Sequence, residues 1–397
     1  MTNRRTMLSA STLILFVVSQ AVAIASARSA FLGVQDEPLK LNATLVQVPA
    51  VVTDRSGRFV PDLSRNDFTL LEDGKRREIS VFGVVKQPFT AALVLDTSNS
   101  AEDRLKAIQN AAMDFTSQLR PDDRMMVIAF DNEVKPLTEF THEREELISA
   151  IRGTESGFGK LLYEAITRSL DLLKDVDGRR AVILFSDGVD MRSIEATAAS
   201  TARLAEEVGA VIYVVRFDTR WWMEAAARKQ EAEHPKSKTP FDVDGRIPLP
   251  PDFGGPDPTP TGIPKPNSPR IEIGQRPSPP VVYDRGIPGS QPERLPTIES
   301  TDPITSTLNK LYGEADAYLQ MITTQTGGRL YLADNYQGTR AAFTAIADEL
   351  RNQYLIGFYT AAGKDDGKYH KLKLESVRKD VVVRARPGYR VRLEPSK

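Results

Sequence analysis

The sequence predicts an α/β protein: a doubly wound, mostly parallel sheet flanked by a β-rich unit formed from both chain ends. Two observations carry this reading. Between residues 88 and 219, short apolar runs such as Ala91–Leu95 and Ala181–Phe185 alternate with segments whose apolar residues recur at helical spacing. Uninterrupted apolar runs bounded by turn formers suit strands buried on both faces, and strand–helix alternation implies right-handed βαβ units. At either end the pattern changes to period-two alternation broken by Gly and Asp turns, as in antiparallel strands. Neither end could bury both faces of a small sheet alone, so each is expected to cover the other.

The 397-residue chain has a net charge of −1, no cysteine and three histidines. Near-neutral charge gives no electrostatic case for nucleic acid or an anionic membrane. Without cysteine there are no disulfides, thiol catalysis, iron–sulfur clusters or thiolate zinc sites. His142, His234 and His370 are too far apart in sequence for metal spacing, which argues against a His-based metal site or triad.

In chain order, residues 1–27 read as a signal peptide. Arg4-Arg5 precede an apolar run from Met7 to Ile24, and Ala25-Ser26-Ala27 gives a small-x-small cleavage site. The paired arginines leave open both general and twin-arginine export. Cleavage leaves no membrane span, and the expected location is exported, periplasmic or extracellular. Residues 28–87 form an N-terminal β region: Leu45–Val52 is a strand, and Asp67–Gly74 runs through a tight turn into a partner strand, Arg77–Val85. Residues 88–219 hold the first part of the α/β domain, with strands at Ala91–Leu95, Arg124–Phe130, Ala181–Phe185 and Val211–Val215. Helices are expected at Arg104–Leu119, Arg144–Ile151, Leu161–Leu173 and Ile194–Val208. Residues 220–304 are a Pro-rich insertion, opened by a helix from Arg220 to His234 that carries Trp221-Trp222; no apolar period follows, so disorder is expected. Residues 305–352 close the domain with a helix from Ala315 to Thr326 ending at Gly327-Gly328, a strand at Arg329–Leu332 and a helix at Gly338–Leu350. Residues 353–397 return to β-strands.

Candidate site residues gather at strand ends. Asp96-Thr97-Ser98-Asn99-Ser100 follows the first central strand, and Ser186-Asp187-Gly188-Val189-Asp190 follows the third. In open α/β sheets ligands bind beyond the carboxyl ends of the strands, and parallel strands put Asp96 and Asp187 on one edge. One carboxylate and two hydroxyls at spacing two are hard oxygen donors of the kind Mg²⁺ takes. The same cluster also suits an Asp–Ser turn capping the next helix.

This segment resembles the von Willebrand factor A family. Its metal-ion-dependent adhesion site uses Asp-x-Ser-x-Ser, a Thr on a later loop, and an Asp in a Ser/Thr-Asp-Gly turn. Asp96, Ser98 and Ser100 match the first element and Asp187 the third. The resemblance implies Mg²⁺ held by Asp96, Ser98, Ser100 and Asp187, a rim of Asn99, Asp131, Lys160 and Asp190, and a protein partner that supplies an acidic side chain. The second element departs: Phe158-Gly159-Lys160-Leu161-Leu162-Tyr163 puts Lys160 where the Thr stands, and protonated lysine is a donor only. Lys160 is therefore expected either to swing out and leave a weakened site, or to replace the metal between Asp96 and Asp187. Thr154 lies upstream at the wrong spacing. The whole layout, with its Arg386-Pro387-Gly388-Tyr389 ending, resembles exported bacterial proteins best known from acidobacteria.

Three functions follow: a binding or adhesion module, Mg²⁺-dependent or not; a metal-independent scaffold of the cell envelope; and a hydrolase. Phosphatases that open on an Asp at a strand end need a second Asp two positions on, where this chain has Ser98. With no general base evident, the expectation is a non-enzyme.

Overall fold

Successive strands and helices follow the alternation of apolar runs and helical spacing. The computed structural model describes residues 44–84, 88–233, 302–333, 335–360 and 367–390. The expected signal peptide and most of the Pro-rich insertion lie outside the described residues. The strands before the central domain are β1 (Leu45–Asp54), β2 (Phe68–Glu72), β3 (Lys75–Arg77) and β4 (Val81–Val84). Within it are β5 (Phe89–Asp96), α1 (Glu102–Thr116), β6 (Arg124–Phe130), β7 (Val134–Pro136), α2 (Arg144–Arg152) and α3 (Leu162–Leu173). These lead to β8 (Arg179–Ser186), α4 (Ala198–Val208), β9 (Val211–Arg216) and α5 (Arg220–Glu233). After the insertion come α6 (Pro303–Thr326), β10 (Leu330–Leu332) and α7 (Tyr336–Arg351). The chain closes with β11 (Tyr354–Tyr359), β12 (Tyr369–Ser376), β13 (Val381–Ala385) and β14 (Gly388–Arg390).

The central sheet has the order β10-β9-β8-β5-β6-β7 and is parallel except for the edge strand β7. All eight residues of β5 are buried, as a strand covered on both faces requires. Ala91, Leu93 and Leu95 face a core closed by α1, α2 and α7. Ala92 and Val94 face the opposite core, closed by α3, α4 and α6. This is the doubly wound arrangement expected from the sequence.

The two chain ends meet in a pair of four-stranded sheets, β13-β1-β11-β4 and β14-β12-β2-β3. Val48 pairs with Ile356 and Leu70 with Leu374, so residues almost the whole chain apart share one ladder. Both sheets bury their inner faces in one core around Phe68, Leu70, Tyr354 and Phe358.

The edge strand β7 was not expected from the sequence, and three boundaries differ most from the sequence reading. The partner of β2 is only Lys75–Arg77, joined through Asp73 and Gly74, both at positive φ, as a type I′ turn needs. The chain then leaves that sheet at Glu78–Ser80, buries Ile79 in the shared core, and enters the other sheet as β4. Helix α4 starts at Ala198 because Thr197 caps it, its hydroxyl accepting from the Ser200 N–H at 3.1 Å. Helix α6 begins at Pro303 with Asp302 as N-cap, twelve residues earlier than expected. Proline is favoured in the first helical turn, so Pro303 opens the helix and does not belong to the insertion. At about 1.5 Å rise per residue α6 outruns the strands beside it. Its first half extends past the sheet and packs Ile304, Leu308 and Tyr312 against Met223 and Ala227 of α5.

A half-buried arginine clamps the β unit to the central domain. From β13, Arg384 donates to the Gly327 and Gly328 carbonyls at 3.0 and 2.6 Å, at the C-terminus of α6, and pairs with Glu349 of α7. Burial alone would lower its pKa, but the Glu349 charge holds it above its ordinary value. Arg384→Met is expected to cost about 1–2 kcal/mol, the scale for lost charge-assisted hydrogen bonds, because Glu349 keeps Arg329 as a partner. Urea unfolding checks this, and unchanged stability would mean the clamp does not hold the two parts.

Candidate functional site

Strands β5 and β8 are neighbours; Asp96 ends β5, Asp187 directly follows β8, and neither carboxylate is exposed. Asp96 Oδ1 accepts from Ser98 N at 3.1 Å and Ser98 Oγ at 2.5 Å, and Oδ2 accepts from Ser186 Oγ at 2.9 Å. The Ser100 hydroxyl lies 3.1 Å from that of Ser98. Asp187 Oδ1 accepts from Val189 N at 3.0 Å, and its Oδ2 from the hydroxyl of Thr219, which is 2.6 Å from the Tyr312 hydroxyl. Gly188 turns the chain at φ 83°, and a Cβ there would stand 2.6 Å from Leu319 of α6.

Lys160 enters between the two carboxylates. Gly159 adopts φ 84°, open chiefly to glycine, and this turn precedes the lysine. The Lys160 carbonyl accepts from Met191 N and Arg192 N at 3.0 and 3.1 Å, which ties its backbone to the loop after β8. Its side chain is 2% exposed; Nζ contacts Asp187 Oδ2 and lies 3.7 Å from Asp96 Oδ2. Burial pushes the Asp96 carboxyl above the usual carboxylate range; the Lys160 charge opposes that shift and the Asp187 charge adds to it. Burial, with the Asp187 charge adding, likewise raises Tyr312.

The structure thus brings together Asp96, Ser98, Ser100, Asp187 and Lys160. This donor set does not fit Mg²⁺. Lysine offers no lone pair while protonated, and its ammonium holds the space between the two carboxylates, where a divalent ion would meet a fixed like charge. Thr154 does not substitute: its hydroxyl donates to the Ile151 carbonyl at 2.8 Å and accepts from Gln109.

The expected rim is partly corrected. Lys160 lies beneath it, because its charge is matched only inside. Asp190 is turned inward: Oδ1 accepts from Tyr163 N at 3.2 Å, at the start of α3, and from Ser193 Oγ at 2.6 Å. Asp131 is 8% exposed and packs over Gly157, where a Cβ would stand 2.0 Å from its Oδ2. Asn99 remains half-buried at the surface and accepts from Ser156. Sequence reasoning placed Ser186 in the turn without giving it a role, and missed Thr219 and Tyr312. Ser186 adjoins the Asp-Gly turn and Thr219 follows the fourth strand end, signals that were available; Tyr312 precedes the point where the helix was expected to begin. Elsewhere, Glu72, Asp73 and His370 converge, with His370 Nδ1 2.8 Å from Asp73 Oδ2. Arg77 and Tyr389 engage the Glu72 oxygens, so this group braces the β2–β3 hairpin.

Residues 91–189 match the family model for the von Willebrand factor type A domain. No curated protein matches the chain. Among solved structures, the conserved hypothetical protein BatB from Bacteroides thetaiotaomicron is similar at 16% identity over 67% of this chain and 100% of its own, with a TM-score of 0.38. The vWF domain of the type V pili tip protein Mfa5 from Porphyromonas gingivalis shares 22% identity over 29% of this chain and 44% of its own, TM-score 0.27. Proximal thread matrix protein 1 from the mussel byssus, described with a zinc-occupied MIDAS motif, shares 15% identity over 34% and 38%, TM-score 0.30. The chain spans less than half the length of the last two. The family match and the doubly wound sheet define a von Willebrand factor type A domain within this chain.

Asp190→Ala is expected to lower unfolding free energy by about 1 kcal/mol, because a part-buried N–H at the start of α3 loses its acceptor. Thermal or urea unfolding reads the change, and no loss would show that water replaces the carboxylate.

Proposed function

We propose that the chain is an exported, non-enzymatic interaction module of the von Willebrand factor A class that recognises a protein partner at the carboxyl edge of its sheet without a bridging metal ion. One observation carries this reading: the Lys160 ammonium lies between Asp96 and Asp187, where the family's adhesion site would use Mg²⁺. The signal-peptide pattern of Arg4-Arg5, the apolar run and Ala25-Ser26-Ala27 supports export. Among the described residues no helix is long and apolar enough to cross a membrane.

Among the described residues, both histidines are engaged by carboxylates. His142 pairs with Glu143 on the surface and His370 belongs to the hairpin brace. Recognition of an acidic partner side chain would need an accessible cation, and Lys160 is not one. Arg192 is. It is exposed beside Asn132, and both side chains flank Gly159 directly above the buried lysine, within 3.2 Å of where a Cβ would stand. Arg192 is the group we assign to meet a carboxylate.

Saturating Mg²⁺ or Mn²⁺ is expected to leave the melting temperature of the wild type unchanged. A true site would add about 2.7 kcal/mol at a hundredfold excess over Kd, so a clear upward shift would sink the metal-free reading. A metal-dependent shift in Lys160→Thr, absent from wild type, would show that the lysine displaces the ion. Capture of an envelope protein by wild type and its loss in Arg192→Glu would support recognition at this rim; equal capture by both would move it elsewhere.

A further inference from the structure

The Lys160 pair has a geometry that goes beyond a counter-ion. An amine and a carboxylate are held in contact, a second carboxylate lies 3.7 Å from the amine, and all three are sealed from water, at 2%, 0% and 0% exposure. Resting on the reading that Lys160 and not a metal bridges Asp96 and Asp187, we infer that Lys160 and Asp187 condense into an intramolecular isopeptide bond, with Asp96 as the proton relay.

The step balances without any added reactant. The Lys160 ammonium gives a proton to Asp96 and the freed Nζ lone pair attacks Cγ of Asp187. A C–N bond forms, and the C–Oδ2 bond breaks. Asp96 passes its proton to the departing Oδ2, which takes a second proton from the nitrogen and leaves as water. One ammonium and one carboxylate become one neutral amide and one water, with no change in net charge or oxidation state.

Each neighbour suits this outcome. The Val189 N–H, 3.0 Å from Oδ1, polarises the carbonyl that accepts the attack and remains hydrogen-bonded to the amide oxygen. The Thr219 hydroxyl donates to Oδ2, the oxygen that departs. Ser98 and Ser186 hold Asp96 by both oxygens, so the relay group is fixed in place. Holding reactants in contact converts a bimolecular condensation into a unimolecular one, with effective molarities that reach about 10⁵ M or more in well-oriented cases. Burial also favours the product: an ion pair taken out of water carries a desolvation cost that a neutral, hydrogen-bonded amide largely avoids. A chain with no cysteine would gain a covalent brace of another kind, joining the loop before α3 to the end of β8.

Intact-mass measurement of the full chain under denaturing conditions, with the N-terminus established by sequencing, decides the matter. Wild type is expected to weigh one water less than its sequence. Tryptic digestion should give a branched peptide joining the Lys160 and Asp187 segments, with no cleavage after Lys160. Lys160→Arg keeps a cation but cannot form this amide, and should show the full mass. Asp96→Asn keeps the packing but removes the relay, and should also show the full mass. Wild type at its full sequence mass, or cleaved after Lys160, would overturn the inference. The metal titration above reads the lysine-for-metal assignment separately: full mass with no metal shift overturns the bond alone, and a metal shift in wild type overturns both.

Discussion

Two carboxylates buried at the ends of adjacent parallel strands cannot stand without a cation, and much of the domain's carboxyl edge is arranged to supply one. Asp96 and Asp187 are placed by the β5–β8 register, which is itself fixed by apolar side chains packed on both faces of the sheet. Burial pushes the Asp96 carboxyl up, the Lys160 charge opposes that shift, and the Asp187 charge adds to it. The Lys160 side chain enters the space between the two carboxylates, in contact with Asp187 and 3.7 Å from Asp96. The consequences spread outward from this point. The Lys160 carbonyl takes two N–H groups from the loop after β8, and Thr219 links Asp187 to Tyr312 and so to α6.

The sheet, its strand order of burial and the two acidic strand ends were legible because each depends on local pattern: an apolar run followed by turn formers. The departure at Lys160 was legible too, but not its direction. Whether the ammonium pointed inward rested on the φ of Gly159 and on the packing of a loop far along the chain, neither of which local sequence encodes. Tyr312 was invisible for a different reason. It reaches Thr219 from 93 residues away across the insertion, on a stretch of helix hidden by the proline that begins it. The break between β3 and β4 escaped notice because a strand that changes sheets keeps its apolar alternation while it changes partners.

The β unit shows how the chain ends are bound into the fold. β1 pairs with β11 and β13, and β2 pairs with β12, so the first and last strands stabilise each other. Arg384 then fastens this unit to the C-terminus of α6, where the last carbonyls of a helix favour a cation. The Glu349 carboxylate serves Arg384, Arg329 and Tyr331 together, which makes it the node between the two parts of the molecule.

The exit and return of the Pro-rich insertion lie close together. Arg228 on α5 pairs with Asp302, the cap of α6, at 2.9 Å, and the two helices pack side by side. The chain on either side of residues 234–301 therefore leaves and re-enters the domain at one doorway. Residues could be removed between these two points, or foreign sequence spliced in, with little penalty to the sheet. This makes the α5–α6 doorway a natural place to graft a reporter or a second domain onto the protein.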